Sequence, residues 1–545
     1  MRGAAHMTEV IKTDVLIIGA GPAGLMAANE FQKRGVNYIC LEKRPGPTPL
    51  AKALGIQARS VELLEFLGIH ELFLKRGYPG PGMKMHLAGR EPSYVELHHI
   101  KSRYPYLFIL PQNEIEELFI ANLAAQDAEV YMEHEVVDVK QTDNGVLVTA
   151  LHHGVEKHYS AKYALACDGA KSRVRQFLDV PFIGEDEGYT FFTADVEIPG
   201  LNEIFINMHL NDRGAVALFP YKDGTYRVVG MDRARQGNDV PKEMPLEALQ
   251  ESLDRILEVP YRVELPKWIK TFQTEHRQVP DYRVGNVFFL GDAAHVNNPL
   301  GGQGMNLGLE DASNLCWKID LVLKGYAKDS FLASYHEERY PIAQEVIRDT
   351  TLELKGIEQT GVIGKLRNWS GKAVLSQGWV QPLVANYYSH IHHEYHKVKR
   401  NKAFKDKRLS RKAIQSGQRV PDQKLFFEGK STARLYPFVQ KHEFVCLIYI
   451  DCYERELIDY AHTFNKLVED VYPGMMKVFV VARGGTLDLE EEALPIIYDV
   501  HRHLDIGIGM EKGSTLILRP DGHVLFHDLS MDAQTMIDKI GAYFQ

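Results

Sequence analysis

Cysteine is scarce in this 545-residue chain: only Cys40, Cys167, Cys316, Cys446 and Cys452 occur, widely spaced and with no CxxC pair. That excludes a disulfide framework and a dithiol motif, and it fits a reducing cytoplasm. Long hydrophobic runs are absent too. The longest, Phe444 to Ile450, has strand length, far short of the roughly 18 residues of a membrane span. The first, Val15 to Ile18, is too short for the core of a signal peptide. Basic charge is not in excess: 63 Lys and Arg face 72 Asp and Glu, giving a net charge of -9, which argues against general nucleic-acid binding. Apolar residues are not lacking. A content of 45% hydrophobic and 25% charged is that of a globular chain. At roughly 100–200 residues per domain, the length implies about three domains. Residues 1–6, ahead of Met7, are set aside.

What is present begins with a glycine turn. Val15 to Ile18 reads as a strand, followed at once by Gly19-Ala-Gly21-Pro22-Ala23-Gly24 and a helix with Leu25, Ala28 and Phe31 on one face. Gly35 is a helix stop, and a second strand, Val36 to Leu41, ends at Glu42. Gly19 permits the tight turn, Gly21 lets backbone approach a pyrophosphate, and Gly24 lets helix and strand pack closely. The diphosphate then lies on free N–H groups at the helix start, and Glu42 can accept hydrogen bonds from a ribose.

Two later segments extend this pattern. A strand, Tyr163 to Cys167, leads into Asp168-Gly169-Ala-Lys-Ser172-Arg-Val-Arg175. Another, Val287 to Leu290, leads into Gly291-Asp292-Ala-Ala-His295, then Asn298-Pro299-Leu-Gly301-Gly302-Gln-Gly304-Met305-Asn306 and a helix to about Leu323. Asp292 at a strand end can bind sugar-chain hydroxyls. The glycine run lets backbone N–H groups face a flat ring. The helix start brings positive dipole to that ring, where a reduced flavin carries negative charge. His295 reads as a structural histidine of the turn.

Taken together, GAGPAG at 19–24, LEKRP at 41–45, DGAKSRVR at 168–175 and GDAAHVNNPLGGQGMN at 291–306 resemble the single-component, class A flavin-dependent aromatic hydroxylases, the p-hydroxybenzoate and phenol hydroxylase group. The resemblance covers about residues 8–345 and implies FAD. It implies that Gly19, Gly21, Pro22, Ala23 and Gly24 hold the pyrophosphate. Glu42 would bind ribose. Lys43, Arg44 and Arg59 would serve the phosphate or adenosine side. Gln112 would lie beside the ribityl chain, and Val136 would offer backbone to adenine. Asp168 and Gly169, with Ser172 and Arg175, are associated in the family with both FAD and NAD(P)H. Asp292 would bind the ribityl and pyrophosphate part. Pro299, Gly302, Gly304, Met305 and Asn306 would border the isoalloxazine ring. Asn298 stands where many relatives carry a second proline, which leaves the local loop geometry open. No second GxGxxG appears, so NAD(P)H would be a transient reductant without a domain of its own; NADH and NADPH are not distinguished.

Between about 181 and 275 the pattern turns strand-like: Tyr189 to Val196, Ile204 to Leu210, Ala215 to Phe219 and Tyr226 to Met231. In the resembled fold this sheet covers the ring, so Tyr189, Phe191, Phe192, Phe219, Pro220 and Tyr226 are expected to line a substrate pocket. The implied reaction hydroxylates an aromatic, phenolic substrate with O2 through a flavin C4a-hydroperoxide. The protein must exclude water and help the phenol lose its proton. His209, Arg213 and Tyr221 are candidate bases, and none is singled out as the catalytic residue. No metal-ligand spacing is evident: His392, His393 and His396 read as a solvated patch. Alternatives are a polyketide- or antibiotic-modifying monooxygenase, a flavin reductase or dehydrogenase without oxygen insertion, and a flavin-bearing scaffold.

The expected fold is α/β: a Rossmann-like FAD-binding domain (7–180 and 276–345), an inserted β-sheet substrate domain (181–275), a helical connection and basic linker (346–419), and a thioredoxin-like domain without CxxC (420–545). The linker stretch Lys397 to Lys412 holds nine bases and one acid, +8 net, and is expected to be a solvated segment. In the last domain Cys452 follows a strand, and Arg519-Pro520-Asp521-Gly522 forms a hairpin turn. Packing or a homodimer contact is its expected role.

Overall fold

The strand Val10–Ile18 carries Val15, Leu16, Ile17 and Ile18, all buried, as in a strand covered on both faces. It pairs in parallel with Tyr38–Leu41 on one side and Val155–Ala166 on the other, and Val155–Ala166 pairs in parallel with Val287–Phe289. The register sets Ile18 opposite both Leu41 and Ala166, and Ala166 opposite Phe289. The turns at Gly19, Glu42, Asp168 and Gly291 therefore leave one edge of one sheet, where ligands bind in sheets of this type. These features come from a computed structural model of the chain, which describes residues 10–49, 53–87, 91–237, 240–257, 259–375, 377–427, 430–450, 454–483 and 494–545.

The glycine helix, Pro22–Arg34, ends where Gly35 adopts a left-handed φ of 66° and its N–H bonds Gln32 and Phe31 carbonyls. Without Cβ, Gly35 takes this conformation at little cost. A ribbon, His134–Thr142 and Gly145–His152, continues onto Val155–Ala166.

The second sheet has eight strands in the order His295–Val296, Glu264–Gln278, Ile183–Glu197, Tyr226–Asp232, Gly214–Pro220, Ile206–Asn211, Gly82–Leu87 and Ser93–Glu96. It is thus not confined to 181–275: two strands come from before residue 100 and one lies just before the ring-side loop. Alternation gives it two faces. Phe192, Ala194, Val196, Val216, Leu218, Tyr226 and Val228 form one core with Leu249, Leu253 and Ile256 of the helix Leu246–Ile256. The opposite face carries two clusters. Phe191, Val229, Met231 and Phe272 meet Leu300, Leu354 and Ile357. Ile206, Met208, Phe219 and Tyr221 meet Leu54 and Ile109.

The chain divides into two compact units. The first holds residues up to Val61, Glu71–Ala312 and Tyr340–His390, so both sheets above belong to it. The second holds Glu62–His70, Ser313–Arg339 and Ile391–Gln545. Its sheet runs Lys430–Arg434, Lys424–Phe427, Ile496–Tyr498, Met476–Ala482, Phe444–Ile450, Thr515–Leu518 and Val524–Asp528. Phe444–Ile450 pairs in parallel with Met476–Ala482 and antiparallel with Thr515–Leu518. Cys452 lies outside the described residues.

The basic stretch is not a loose linker. It belongs to the second unit, forms a helix at Lys399–Ala403, and is fixed by Arg400 Nη1 to the Tyr543 carbonyl (2.7 Å) and Arg408 Nη2 to Asp528 (3.1 Å). The turn at 519–522 has a further role. Buried Arg519 binds both oxygens of buried Glu338 (2.8 and 3.0 Å) and Asp521 (2.5 Å), while Lys318 Nζ reaches Glu338 at 2.8 Å. Burial pushes the Glu338 carboxyl up, and Arg519 and Lys318 outweigh it, holding it well below the usual carboxylate range. Removing one partner of such a buried set costs about 3–5 kcal/mol.

Candidate functional site

Gly19 has φ +101°, and a Cβ there would lie 2.5 Å from the Cys167 carbonyl oxygen. A Cβ on Gly24 would lie 2.0 Å from the Gly19 oxygen, so only glycine allows helix and strand to approach this closely. At Gly21, the helix N-cap, nothing lies within 4 Å of the Cβ position. The surface above it is open. Pro22 is the first helical residue, and the first turn carries no acid to compete with an anion.

Glu42 closes the second strand. Its Oε2 accepts from Ala20 N–H (2.8 Å), and Arg44 folds over it, Nε to Oε1 at 2.9 Å. Burial opposes its ionisation, but Arg44 prevails and the carboxyl stays below its ordinary range. Lys43 beside it is exposed. Arg44 Nη1 also reaches buried Glu116 (3.1 Å), which accepts from Thr48 N–H (2.7 Å) and Gln112 Nε2 (2.9 Å). Glu116 thus joins the two sequence-expected residues Arg44 and Gln112. It was not singled out in the sequence; its signal is the i+4 spacing from Gln112. Val136 lies on the ribbon strand whose residue His134 donates its N–H to the Glu42 carbonyl (2.8 Å). Arg59 is buried at the start of the helix Ala58–Leu67, its N–H on the Ser389 carbonyl.

The second glycine-rich turn meets the first. Cβ positions built on Gly291 and on Gly308 each fall 3.2 Å from Ala23 Cβ, and the Gly308 position falls 3.2 Å from Gly291 Cα. Gly308, unremarked in the sequence, lets the helix Gly304–Leu323 close on the Gly19–Gly24 turn. Asp292 is exposed at that junction. His295 is structural as expected: it is buried, with Nε2 2.7 Å from Asp311 Oδ2, the oxygen that also accepts from Gly291 N–H (3.1 Å).

Asp168 uses one oxygen, Oδ2, to cap the helix Arg173–Phe177 at Arg173 N (2.7 Å) and Val174 N (3.1 Å). Its Oδ1 is buried without a hydrogen-bond partner among the described residues, and burial raises its pKa. Ser172 Oγ accepts from Arg175 N–H (3.1 Å). Arg175 donates to the Ala293 and Ala170 carbonyls (3.0 and 2.7 Å), clamping this loop to the Gly291 turn. Gly169 has φ +83° with open space at its Cβ position.

In the ring-side loop Gly301 and Gly302 have φ of +73° and +61°. Buried Asn306 accepts from Gln57 N–H (2.9 Å) and donates to the Gly55 and Gly302 carbonyls (both 2.8 Å), while Gln57 Nε2 holds the Gly301 carbonyl (2.9 Å). Nothing lies within 4 Å of a Cβ on Gly302, so this stretch presents bare backbone. Asn298 has a defined role here: its Nδ2 donates to Glu187 (3.1 Å) and its Oδ1 accepts from Leu300 N–H (3.3 Å), tying the loop to the second sheet. Pro299, Gly304 and Met305 follow in the same loop and helix start.

The face of the second sheet opposite the helix Leu246–Ile256 corrects several expectations. Phe192 and Tyr226 lie in the core against that helix, and Pro220, paired with Tyr226, shares its side. Tyr189 and Phe219 are on the opposite face. There a cross-strand row runs Trp268, Asp195, Arg227, Phe219. Arg227 is wholly buried. Its Nε and Nη2 bind Asp195 at 2.6 and 3.0 Å, and its guanidinium lies 4.7 Å from the Trp268 ring centre. Nη1 has no hydrogen-bond partner among the described residues, and neither does Thr193 Oγ1 two positions along. Of the candidate bases, Tyr221 donates to Asp195 (3.1 Å), with burial pushing its phenol pKa upward. Arg213 is an exposed hairpin residue bonded to the Arg255 carbonyl. His209 pairs with Val216 on the helix side, stacks on His86 at 4.2 Å, and is driven by burial down to about 3, so it is a neutral imidazole of little basicity.

A titratable group that no sequence motif marked stands behind the ring-side loop. Glu353 accepts from Tyr388 Oη (3.2 Å), and Tyr388 Cε1 lies 3.0 Å from the Cβ position of Gly301. Burial pushes Glu353 up to about 7, with Asp349 adding to the rise and Tyr388 and Tyr387 opposing it. Gln303, in the loop itself, contacts His390 (3.3 Å), which is held by Glu310 (2.7 Å).

Comparison with known proteins agrees with this geometry. Residues 12–350 match the family described as FAD binding domain. The chain is 32% identical over 443 residues to the uncharacterized aromatic compound monooxygenase YhjG of Bacillus subtilis (strain 168), covering 80% of this chain and 85% of that protein. It is 29% identical over 524 residues to pentachlorophenol 4-monooxygenase of Sphingobium chlorophenolicum, covering 94% and 93%. Among solved structures, the OxyS anhydrotetracycline hydroxylase from Streptomyces rimosus superposes with a TM-score of 0.75 at 26% identity, over 98% of this chain and 99% of that one.

Proposed function

Since this chain belongs to the FAD binding domain family and is an FAD-dependent monooxygenase, we propose that it hydroxylates a phenolic ring, with NAD(P)H as transient reductant and O2 as oxygen source. The observation that carries the reading is the contact of the Gly19–Gly24 turn with the Gly291–Asp292 turn, open at Gly21 and at Gly302. That trough suits a dinucleotide with its flat ring on the 299–306 loop. Glu42 would take the ribose after Arg44 swings off it, Gln112 and Asp292 the ribityl chain, and the first turn of the glycine helix the diphosphate. We read the first sheet with its crossover helix as Rossmann-like and the second unit as thioredoxin-like, and we infer a reducing cytoplasm from the four described cysteines, all buried and none in a disulfide.

Bound FAD supplies the hydride acceptance from NAD(P)H and the activation of oxygen. The chain does the rest. Phe191, Met231, Leu300 and Leu354 make a dry wall on the face of the second sheet opposite the helix Leu246–Ile256. Arg227 Nη1 and Thr193 Oγ1 offer hydrogen bonds to a substrate oxygen, and the positive guanidinium favours its phenolate form. Glu353, at a pKa of about 7, is poised to accept the phenolic proton by way of Tyr388. A fused-ring phenolic polyketide is the second reading, supported by the full-length likeness to OxyS.

The test is a panel of simple phenols and fused-ring polyketides assayed for stimulated NAD(P)H oxidation and for product by mass spectrometry. One hydroxylated product per NAD(P)H is expected for the fitting class. If every equivalent emerges as hydrogen peroxide across the panel, oxygen insertion into aromatic rings is wrong.

A further inference from the structure

Eight of the 21 large apolar side chains that are exposed among the described residues fall between positions 352 and 383. That is a patch rather than the usual scatter. It is built mainly on the helix Gly361–Leu375, which is inside out. Gly364 and Asn368 are its buried residues, and Gly371 faces Leu87, with 3.8 Å from its Cβ position to Leu87 Cδ1. These three recur at helical spacing and let the helix lie close on the strands Gly82–Leu87 and Ser93–Glu96. The opposite face carries Val362 (83% exposed), Ile363, Leu366 and Trp369 (56%), and Trp379 (70%) and Leu383 follow in the next segment. Two of the chain's four tryptophans are therefore more than half open to solvent.

The charges say what such a face meets. From 359 to 393 the sequence has Lys365, Arg367 and Lys372 and not one Asp or Glu. Arg367 is spent on the Gly356 and Ile357 carbonyls and Lys372 on the Glu91 carbonyl, while Lys365 is exposed beside the apolar stripe. A helix with an apolar outward face, tryptophan at its edge and cations without acids suits an interface with negative headgroups. A two-fold pairing with a second copy would set these same cations against each other with no carboxylate of this segment between them. No helix among the described residues is long and apolar enough to cross a membrane; the face could only lie on one. We propose that the 362–383 face docks on an anionic lipid surface. The consequence follows from the neighbouring helix: Leu354 and Ile357 belong to the apolar cluster against the second sheet, and Leu352, two residues before Leu354, is itself exposed. An apolar aromatic substrate dissolved in the bilayer would then meet the enzyme on the side of that cluster.

The holoprotein should sediment with vesicles of phosphatidylcholine containing one quarter phosphatidylglycerol, and at least ten-fold less with phosphatidylcholine alone. Leu366→Asp and, separately, Lys365→Glu should cut binding by ten-fold or more while flavin absorbance and circular dichroism stay unchanged. The assay needs no turnover, so its outcome is independent of the substrate assignment. Absence of binding at low salt, or binding that Leu366→Asp leaves intact, overturns the proposal. So does a wild-type dimer in analytical ultracentrifugation that Leu366→Asp converts to monomer while lipid is ignored, which would assign the face to self-association.

Discussion

Arg227 and Asp195 stand directly opposite each other on neighbouring strands, and their two contacts of 2.6 and 3.0 Å leave one guanidinium nitrogen over. In the proposed reading this buried cation, with a donor to spare on the face opposite the helix Leu246–Ile256, would anchor a substrate oxygen. Arg227→Met alone would strand a buried Asp195, at about 3–5 kcal/mol. The double variant Asp195→Asn with Arg227→Met separates the roles. It should fold and keep FAD, while kcat/KM for the phenolic substrate falls roughly 10–100-fold, the loss of a charge-assisted hydrogen bond of about 1.5–3 kcal/mol. Steady-state kinetics decide this, and an unchanged kcat/KM would remove Arg227 from the site.

Asp292 is exposed where the two glycine turns meet. Asp311, His295 and Arg175 hold this turn through their own hydrogen bonds. Asp292→Ala should weaken FAD by roughly 10-fold or more, the same order as above, with circular dichroism to read the fold alongside. Flavin fluorescence on titration of the apoprotein reads this directly. Equal affinity in both proteins would end the assignment.

The parts legible in the sequence were those where chemistry and backbone constraint coincide. Gly19 and Gly24 must be glycine for steric reasons that the turn itself imposes, so their spacing announced the sheet edge. Gly308 does the same for the second turn, yet its constraint comes from Ala23, distant in sequence, and no local pattern encodes it. Phe192 and Tyr226 were misread because an aromatic on an alternating strand does not tell which face is covered. Glu187 and Glu353 were invisible because a carboxylate acquires its role from partners brought from other elements.

His209 gives a pH prediction for stability. Its folded pKa is lowered to about 3, against an ordinary value of 6.5, because burial disfavours the cation and His86 stacks on it. As pH falls below 6.5 the unfolded chain takes up this proton and the folded chain does not. The stability is complete above that value and drains away toward pH 3, by at most about 4–5 kcal/mol. In denaturant titrations His209→Phe should lose less stability than the wild type between pH 7 and 4. Parallel losses would show that this imidazole carries none of the acid sensitivity.

Glu353 gives the opposite sign. Its pKa is raised from 4.5 to about 7, with burial the largest cause, so the folded state holds the proton more tightly than the unfolded chain. That contribution, on the order of 3 kcal/mol, is complete below about pH 4.5 and is lost as pH rises through 7. Activity should run the other way, because only the ionised carboxylate accepts a proton. The wild-type kcat should rise with pH along a limb near 7, and Glu353→Gln should remove the limb and lower kcat roughly 100-fold. Tyr388→Phe deletes both the donor that favours ionisation and the hydroxyl that passes the proton on. It should remove the limb as Glu353→Gln does, and the two changes combined should cost no more than either alone, a non-additivity that loss of packing would not produce. If Glu353→Gln keeps the wild-type pH profile, the carboxylate behind the 301–303 loop is a structural group and the phenol gives up its proton elsewhere.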